Sequence, residues 1–87
     1  MARYNIIFKC SVKRDLRRIS SQDIPVILQR IDALAEEPRP VTCKKLSSKE
    51  VFRVRQGNYR IIYEIFDNTL VVLVVAVANR STVYRRQ

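Results

Sequence analysis

Hydrophobic residues recur along this chain with two different periods, and the change of period divides the chain into a helical and a strand-like part. Near the beginning, Tyr4, Ile6 and Phe8 occupy alternate positions, which predicts an opening strand. The next apolar residues recur every three or four positions, as in amphipathic helices. From Val51 onward, β-branched and aromatic residues form three runs that predict strands.

Two helices are predicted between the opening strand and Val51. Ser11 is the expected N-cap of the first helix, and Val12, Leu16 and Ile19 follow with helical spacing. This spacing places four basic side chains on the solvent-exposed face of the helix: Lys13, Arg14, Arg17 and Arg18. That basic face is either a contact for an anionic partner or an ordinary solvated helix surface.

A Ser-Ser corner is expected to join the first helix to the second. Ser20 or Ser21 is the expected cap, and Pro25 lies in the first turn, where a missing N–H costs little. Pro38 with Pro40 is expected to end the helix. Its apolar stripe consists of Ile24, Ile27, Leu28, Ile31, Leu34 and Ala35.

The three later runs cover residues 51–56, 59–66 and 70–78, and turn residues separate them. Gly57-Asn58 and Asp67-Asn68 are hairpin signals, so the runs predict an antiparallel meander. The last run is apolar at every position, which predicts a central strand buried on both faces. Residues 1–87 are therefore expected to form one α+β domain in the order β-α-α-β-β-β, with an antiparallel sheet packed against a helical hairpin.

A two-residue turn at Gly57-Asn58 fixes which side chains face each other across the hairpin. Arg55 then lies opposite Arg60, and Arg53 shares their face. The other face receives Phe52, Val54, Ile61 and Tyr63. Like charges directly opposite each other destabilise a sheet. The three arginines therefore favour an anion site for phosphates, and a solvated basic face is the alternative.

The composition limits which kinds of catalysis the chain can perform and which kind of partner it can bind. The 87 residues include 17 Lys and Arg against 8 Asp and Glu, a net charge of +9, and no histidine. Histidine-based acid–base catalysis and histidine-ligated zinc are thus excluded, and an anionic partner is expected. With 47% hydrophobic residues, the chain has material for a core.

The cysteines and the apolar runs bear on location. Cys10 and Cys43 share no metal-ligand spacing and are expected to be reduced packing residues, which suits the cytoplasm. We expect no signal peptide, because the apolar stretch at residues 6–8 is short. No membrane association is expected either, since the longest apolar run, residues 70–78, is less than half of the about 20 residues that a membrane helix needs.

The C-terminal residues continue the basic character of the hairpin. Arg80, Arg85 and Arg86 surround Tyr84, and the segment is expected to cross the same edge of the sheet. Tyrosine among arginines is typical of single-stranded RNA recognition, although a basic tail is also typical of disordered charge runs.

Several segments together resemble the RelE/ParE toxin superfamily of prokaryotic toxin–antitoxin modules, and in particular RelE-type mRNA interferases. The resemblance spans almost the whole chain in the same order of elements and implies the β-α-α-β-β-β fold. It is carried by Leu34-Ala35-Glu36-Glu37-Pro38-Arg39-Pro40, Lys44-Lys45-Leu46, residues 52–65 (FRVRQGNYRIIYEI), the strand 70–77, Asn79-Arg80 and Val83-Tyr84.

The resemblance implies a ribosome-dependent endonuclease that cuts mRNA in the decoding site by attack of a ribose 2′-OH on the adjacent phosphate. It assigns catalysis to Arg60, Arg80 and Tyr84, with Tyr84 as proton carrier or stacking platform. Some members have lysine at the positions of Arg53 and Arg55. Because arginine does not lose its proton, these two are expected to clamp phosphates. Lys44 and Lys45 are expected to bind substrate.

The implied reaction requires no metal and no cofactor. Glu64 is a rival general base, because it shares the parity of the arginines on the hairpin. The alternative role for Glu64 is that of a counter-ion for the arginines.

The resemblance also implies partners. A cognate RelB-like antitoxin of complementary charge is expected, in a higher-order hetero-oligomer, besides the ribosome and mRNA. The antitoxin is expected to neutralise the basic face or displace Tyr84. Two other functions stay open: a ParE-type inhibitor of DNA gyrase, which shares the fold without nuclease activity, and a plain RNA-binding module.

Overall fold

The computed structural model describes residues 3–79, in which one five-stranded sheet carries two helices on a single face. The elements are β1 (Asn5–Phe8), α1 (Cys10–Arg17), α2 (Ile24–Ala33), β2 (Lys44–Lys45), β3 (Val51–Gln56), β4 (Tyr59–Phe66) and β5 (Val71–Asn79). Arg80 and Tyr84, two of the predicted catalytic residues, lie outside the described residues. The predicted α+β fold is confirmed.

The strands lie in the order β1-β5-β4-β3-β2. The predicted antiparallel meander of β3, β4 and β5 is confirmed. β1, however, pairs with β5 in parallel, so the sheet is mixed rather than wholly antiparallel. Hydrophobic alternation assigns side chains to faces in either strand direction, and so it did not anticipate this. The two-residue edge strand β2 was also not predicted, because two residues carry no period.

The predicted cap of the first helix is wrong. α1 begins at Cys10, with Lys9 at the N-cap position and no side-chain cap, so Ser11 lies inside the helix. The cause is the end of β1: the Lys9 N–H donates to Val74 O at 2.9 Å, and the helix follows at once. Val12 is completely buried, as its spacing predicts.

The second helix begins and ends at other residues than predicted. Asp23, not Ser20 or Ser21, is the N-cap, and Pro25 lies in the first turn as predicted. The serines lie in the preceding turn, where Ser20 O accepts from Asp23 N–H at 2.9 Å. α2 ends at Ala33, well before Pro38, since the chain there turns through tighter bonds such as Leu34 N–H to Ile31 O.

Four of the six positions in the predicted apolar stripe of the second helix are buried, and Ile24 is half-buried. Ile27, Ile31, Leu34 and Ala35 are buried, with the last two just beyond the helix end. Leu28 is 39% exposed, contrary to the prediction, because its neighbours on the helix already fill the face that meets the sheet.

The hydrophobic core lies between the helices and one face of the sheet. Its sheet residues include all four predicted on the buried face of the hairpin. The core consists of Val12, Ile19, Ile27, Ile31, Leu34, Phe52, Val54, Ile61, Tyr63, Ile65, Val72, Val74 and Val77. Inside it, the Tyr63 hydroxyl donates to Pro38 O at 2.8 Å.

The last predicted strand is internal but not buried on both faces. β5 lies between β1 and β4, and Val72, Val74 and Val77 are buried on the helix side. Val71 and Leu73 on the other side are only half-buried, because no element within residues 3–79 covers that side. We call this uncovered side of the sheet the open face. Leu70 belongs to the preceding turn, with φ +54°.

Candidate functional site

The β3–β4 hairpin arranges the predicted arginines on the open face. The predicted pairing of Arg55 with Arg60 is confirmed, and Arg53, opposite Ile62, shares their face as predicted. Gly57 has φ +60° in the two-residue turn, a conformation that glycine adopts without steric cost, and this turn sets the register. Arg55 is exposed, whereas Arg53 and Arg60 are half-buried.

β5 leaves room above the arginines. The residue opposite Arg60 on β5 is Ala78, and the residue opposite Ile62 is Ala76. A bulge between Ile62 and Tyr63 shifts the register, and this shift keeps both alanines on the open face. β5 therefore adds only two methyl groups beside the guanidinium groups at this part of the sheet.

The two predicted substrate-binding lysines lie on opposite faces. Lys44 lies opposite Arg53 and so shares the open face with the arginines. Lys45 lies opposite Phe52, and its Nζ contacts Glu50 Oε2 at 3.0 Å. The structure therefore brings together Arg53, Arg55, Arg60 and Lys44, which we call the basic cluster, and places Lys45 apart from it.

Glu64 lies on the open face but not beside the Arg55–Arg60 pair. It faces Val51 across the hairpin, and Arg53 is its diagonal neighbour. On β4, Ile62 separates this carboxylate from Arg60. This placement fits a counter-ion better than a base that acts at Arg60.

The tyrosines within residues 3–79 are held as protonated donors. Tyr59 donates to Asp23 Oδ2 at 2.8 Å, and this hydrogen bond raises the pKa of Tyr59. Tyr4 donates to Asp67 Oδ1 at 2.6 Å, with the same effect on its pKa. Burial raises the pKa of Tyr63 well above its usual range. None of these three phenols is tuned toward a base, and Tyr84 lies beyond the described residues.

A second polar group lies at the opposite end of the sheet, and no sequence pattern predicted it. The Arg39 guanidinium contacts Asp67 Oδ2 at 2.8 Å and Glu50 Oε1 at 2.5 Å. It also lies over the Phe52 ring, 5.5 Å from the centroid. With Tyr4 bonded to Asp67, this group ties β1 and the segment after α2 to the β4–β5 turn. It is a structural clamp, because its two carboxylates are balanced by Arg39 and by Lys45, which contacts Glu50.

Two further classes of site find no support within residues 3–79. No three Cys, Asp or Glu side chains in this range come together as metal ligands. No helix in the same range is long and apolar enough to span a membrane.

The sequence model of the ParE toxin of type II toxin–antitoxin systems (parDE) matches residues 6–84 of the chain. This match takes in both helices, nearly the whole sheet and the basic cluster. The chain belongs to the ParE toxin family.

Relatives of this ParE-family chain carry RelE-type names. Toxin RelG of Mycobacterium tuberculosis is 29% identical in an alignment that covers 95% of this chain and 98% of that protein. A chain in the crystal structure of the toxin–antitoxin complex RelBE2 from M. tuberculosis matches with a TM-score of 0.82 and 26% identity, over 93% of this chain and 95% of that one.

A third comparison comes from E. coli. A mutant of the toxin RelE in complex with an antitoxin RelBc peptide matches with a TM-score of 0.75 and 26% identity, covering 99% of this chain and 94% of the other. The ParE-family chain is thus a toxin of a type II toxin–antitoxin system within the RelE/ParE superfamily.

Proposed function

We propose that this toxin is a ribosome-dependent mRNA endonuclease that cuts by attack of a ribose 2′-OH on its own 3′-phosphate. The observation that carries the proposal is the opposition of Arg55 and Arg60 on the open face beside two alanines. Two guanidiniums placed opposite each other reduce stability, and a phosphodiester between them removes the repulsion. Such a pair suits an RNA backbone better than it suits a protein surface selected only for stability.

The proposed reaction divides the work among a few groups. The 2′-oxygen forms a bond to phosphorus, the bond to the 5′-oxygen breaks, and a cyclic phosphate and a free 5′-OH result. Arg60, with Arg80, holds the scissile phosphate and stabilises the charge that gathers on it. Arg53, Arg55 and Lys44 bind neighbouring phosphates. Lys45 stays a predicted substrate contact, although its ammonium already pairs with Glu50.

Proton transfer falls to Tyr84 in this proposal. Arginine effectively never loses its proton, so the three arginines of the basic cluster only stabilise charge. Lys44 is the one member of the cluster that can lose a proton. Nearby cations lower the pKa of a phenol, which allows a tyrosine among arginines to accept the 2′-OH proton. The departing 5′-oxygen takes up one proton, so the reaction is balanced without a metal or a cofactor.

A second function has its own support. The family model that matches is that of ParE toxins, and the resemblance of the sequence includes ParE-type inhibitors of DNA gyrase. In that case the open face would contact a protein, and Arg55 and Arg60 would meet carboxylates. A plain RNA-binding module is the third interpretation of the same basic cluster.

Primer extension on mRNA from a translating extract, with a parallel supercoiling assay, separates these functions. Codon-phased breaks that vanish in Arg80→Ala or Tyr84→Phe are expected for the nuclease. Intact mRNA with arrested supercoiling would establish the gyrase inhibitor instead. Intact mRNA and normal supercoiling, with the RNA retained by the protein, would leave only the binding module.

We further propose an antitoxin partner, in a higher-order hetero-oligomer in the cytoplasm. The solved relatives from M. tuberculosis and E. coli include toxin–antitoxin complexes. The open face supports such a partner because its other end is mostly apolar. This apolar end consists of Ile7, Ile62, Phe66, Val71 and Leu73 around one carboxylate, Glu64, which lies opposite Leu73. Ile7 is 48% and Phe66 43% exposed.

An antitoxin segment with apolar residues followed by acidic ones would match the apolar end and the basic cluster in turn. Leu73→Glu is expected to weaken co-purification with the antitoxin encoded beside the toxin gene. Val41→Glu introduces the same charge at a fully exposed residue outside the sheet and serves as the control. Equal co-purification of both variants would contradict this docking face.

A further inference from the structure

β5 is longer than the strand that protects its outer edge. β1 pairs with residues 71–74 only, and the bond from Lys9 N–H to Val74 O, at 2.9 Å, is the last one between the two segments. β5 continues to Asn79 with β4 on one side alone. Within the part of the chain that the structure describes, no second strand therefore lies along residues 75–78.

A side chain of α1 takes the place of the missing strand. Asp15 Oδ2 accepts a hydrogen bond from Val77 N–H at 3.1 Å. Val77 is buried, and so is Val12, which lies one helical turn before Asp15 on the same side of α1. The carboxylate thus satisfies a backbone donor that packing holds away from water.

Asp15 differs from its neighbours on the helix. Four cations occupy the remaining turns of this segment: Lys13, Arg14, Arg17 and Arg18. Within residues 3–79, Asp15 nevertheless forms no ion pair with any of them. A half-buried carboxylate without a counter-ion is unfavourable unless it accepts hydrogen bonds, so the bond to Val77 accounts for its position.

The anchored half-strand bears directly on the basic cluster. Ala78, the residue after Val77, lies opposite Arg60, and Asn79 lies opposite Tyr59. Arg80 follows Asn79 in the sequence. A shift of β5 at Val77 would therefore move Ala78 and Asn79, the last described residues before Arg80, relative to Arg60.

We propose that Asp15 is a positioning residue that holds the C-terminal half of β5 and thereby sets the place of Ala78 beside Arg60. The link to cleavage rests on the proposed endonuclease function, whereas the anchoring of β5 does not. Asp15→Asn keeps an acceptor oxygen and is expected to preserve both the anchoring of β5 and mRNA cleavage. Asp15→Ala removes the acceptor and is expected to lose the anchoring and to slow cleavage.

Amide hydrogen exchange and cleavage kinetics test the proposal on the same variants. In Asp15→Ala, exchange at Val77 is expected to accelerate by about tenfold or more, with Val54 in β3 unchanged. The turnover number for mRNA cleavage is expected to fall by about tenfold with KM retained. Asp15→Asn should keep the exchange rate at Val77 and the turnover number close to the wild-type values. Glu37→Ala removes an exposed carboxylate and should change neither quantity.

Each of the other results would contradict one part of the proposal. Unchanged exchange at Val77 in Asp15→Ala would overturn the anchor. Faster exchange with an unchanged turnover number would overturn the positioning role. If the wild-type protein does not cleave RNA at all, the proposed function fails, and the exchange measurements alone decide whether Asp15 anchors β5.

Discussion

Arg55 and Arg60 lie directly opposite each other on β3 and β4, on the face of the sheet that no described element covers. Directly opposed like charges cost roughly 0.2–1 kcal/mol in a sheet. The turn at Gly57 leaves the strands no other register, so the repulsion is built into the hairpin. This local conflict is typical of functional sites, where one rule of stability is broken.

The first prediction concerns that repulsion. Arg55→Thr keeps a residue suited to strands and removes one of the two opposed charges, so the free energy of unfolding is expected to rise by roughly 0.2–1 kcal/mol. Urea unfolding at low ionic strength measures it. The gain should shrink at about 1 M salt, where the Debye length is only about 3 Å. A less stable variant at low salt would contradict this account.

A second prediction concerns the turn that sets the register. Gly57 has φ +60°, and no atom lies within 4 Å of the place where a Cβ would stand. The cost of Gly57→Ala is therefore conformational and is expected to be about 1–2 kcal/mol. Gly57→Asn should cost less, because asparagine tolerates this region. Equal losses in thermal unfolding of both variants would show that the turn adopts another conformation.

The hairpin shows why part of the site was predictable from sequence. Gly57-Asn58 determines the register locally, and alternation then assigns every arginine of β3 and β4 to a face. Lys44 and Lys45 are adjacent, so one residue of register separates them. Only the pairing of Lys44 with Arg53, set by tertiary contacts, shows which lysine joins the cluster.

Other features depend on contacts between distant segments and left no local signal. The bond between Asp15 and Val77 joins residues 62 apart in sequence. The start of α1 at Cys10 follows from the bond that Lys9 makes to Val74, which overrides the capping preference of Ser11. The clamp around Arg39 likewise joins a loop to a distant turn.

The third prediction concerns the loss of stability at acidic pH. The Arg39 guanidinium and the Tyr4 hydroxyl lower the pKa of Asp67 from 3.8 to about 2 in the folded state. Because the pKa of Asp67 is lower in the folded than in the unfolded state, its ionised carboxylate stabilises the fold at pH values above the unfolded pKa. This stabilisation is lost as the pH falls from about 4 toward 2. Asp67→Asn should therefore flatten the dependence of the urea midpoint on pH in that window. Parallel curves for variant and wild type would contradict it.

A fourth prediction compares two tyrosines. Tyr63→Phe leaves the buried Pro38 carbonyl without its donor and is expected to destabilise the fold by about 1–3 kcal/mol. Tyr59→Phe removes a more exposed bond to Asp23, which water can replace, so its loss should be about 1 kcal/mol or less. Chemical denaturation of both variants gives the comparison. A greater loss in Tyr59→Phe would mean that the hairpin tip depends on α2 more than on the core.

The rate constant of mRNA cleavage on programmed ribosomes, in a single turnover, tests the central claim most directly. We expect Arg60→Gln to lower it by about a hundredfold or more, because a preorganised charge beside the phosphate is lost. Lys49→Gln removes one positive charge from an exposed loop residue away from the basic cluster and should leave the rate constant near the wild-type value. Equal rate constants for both variants, with both folded, would show that the basic cluster is not the site of RNA cleavage.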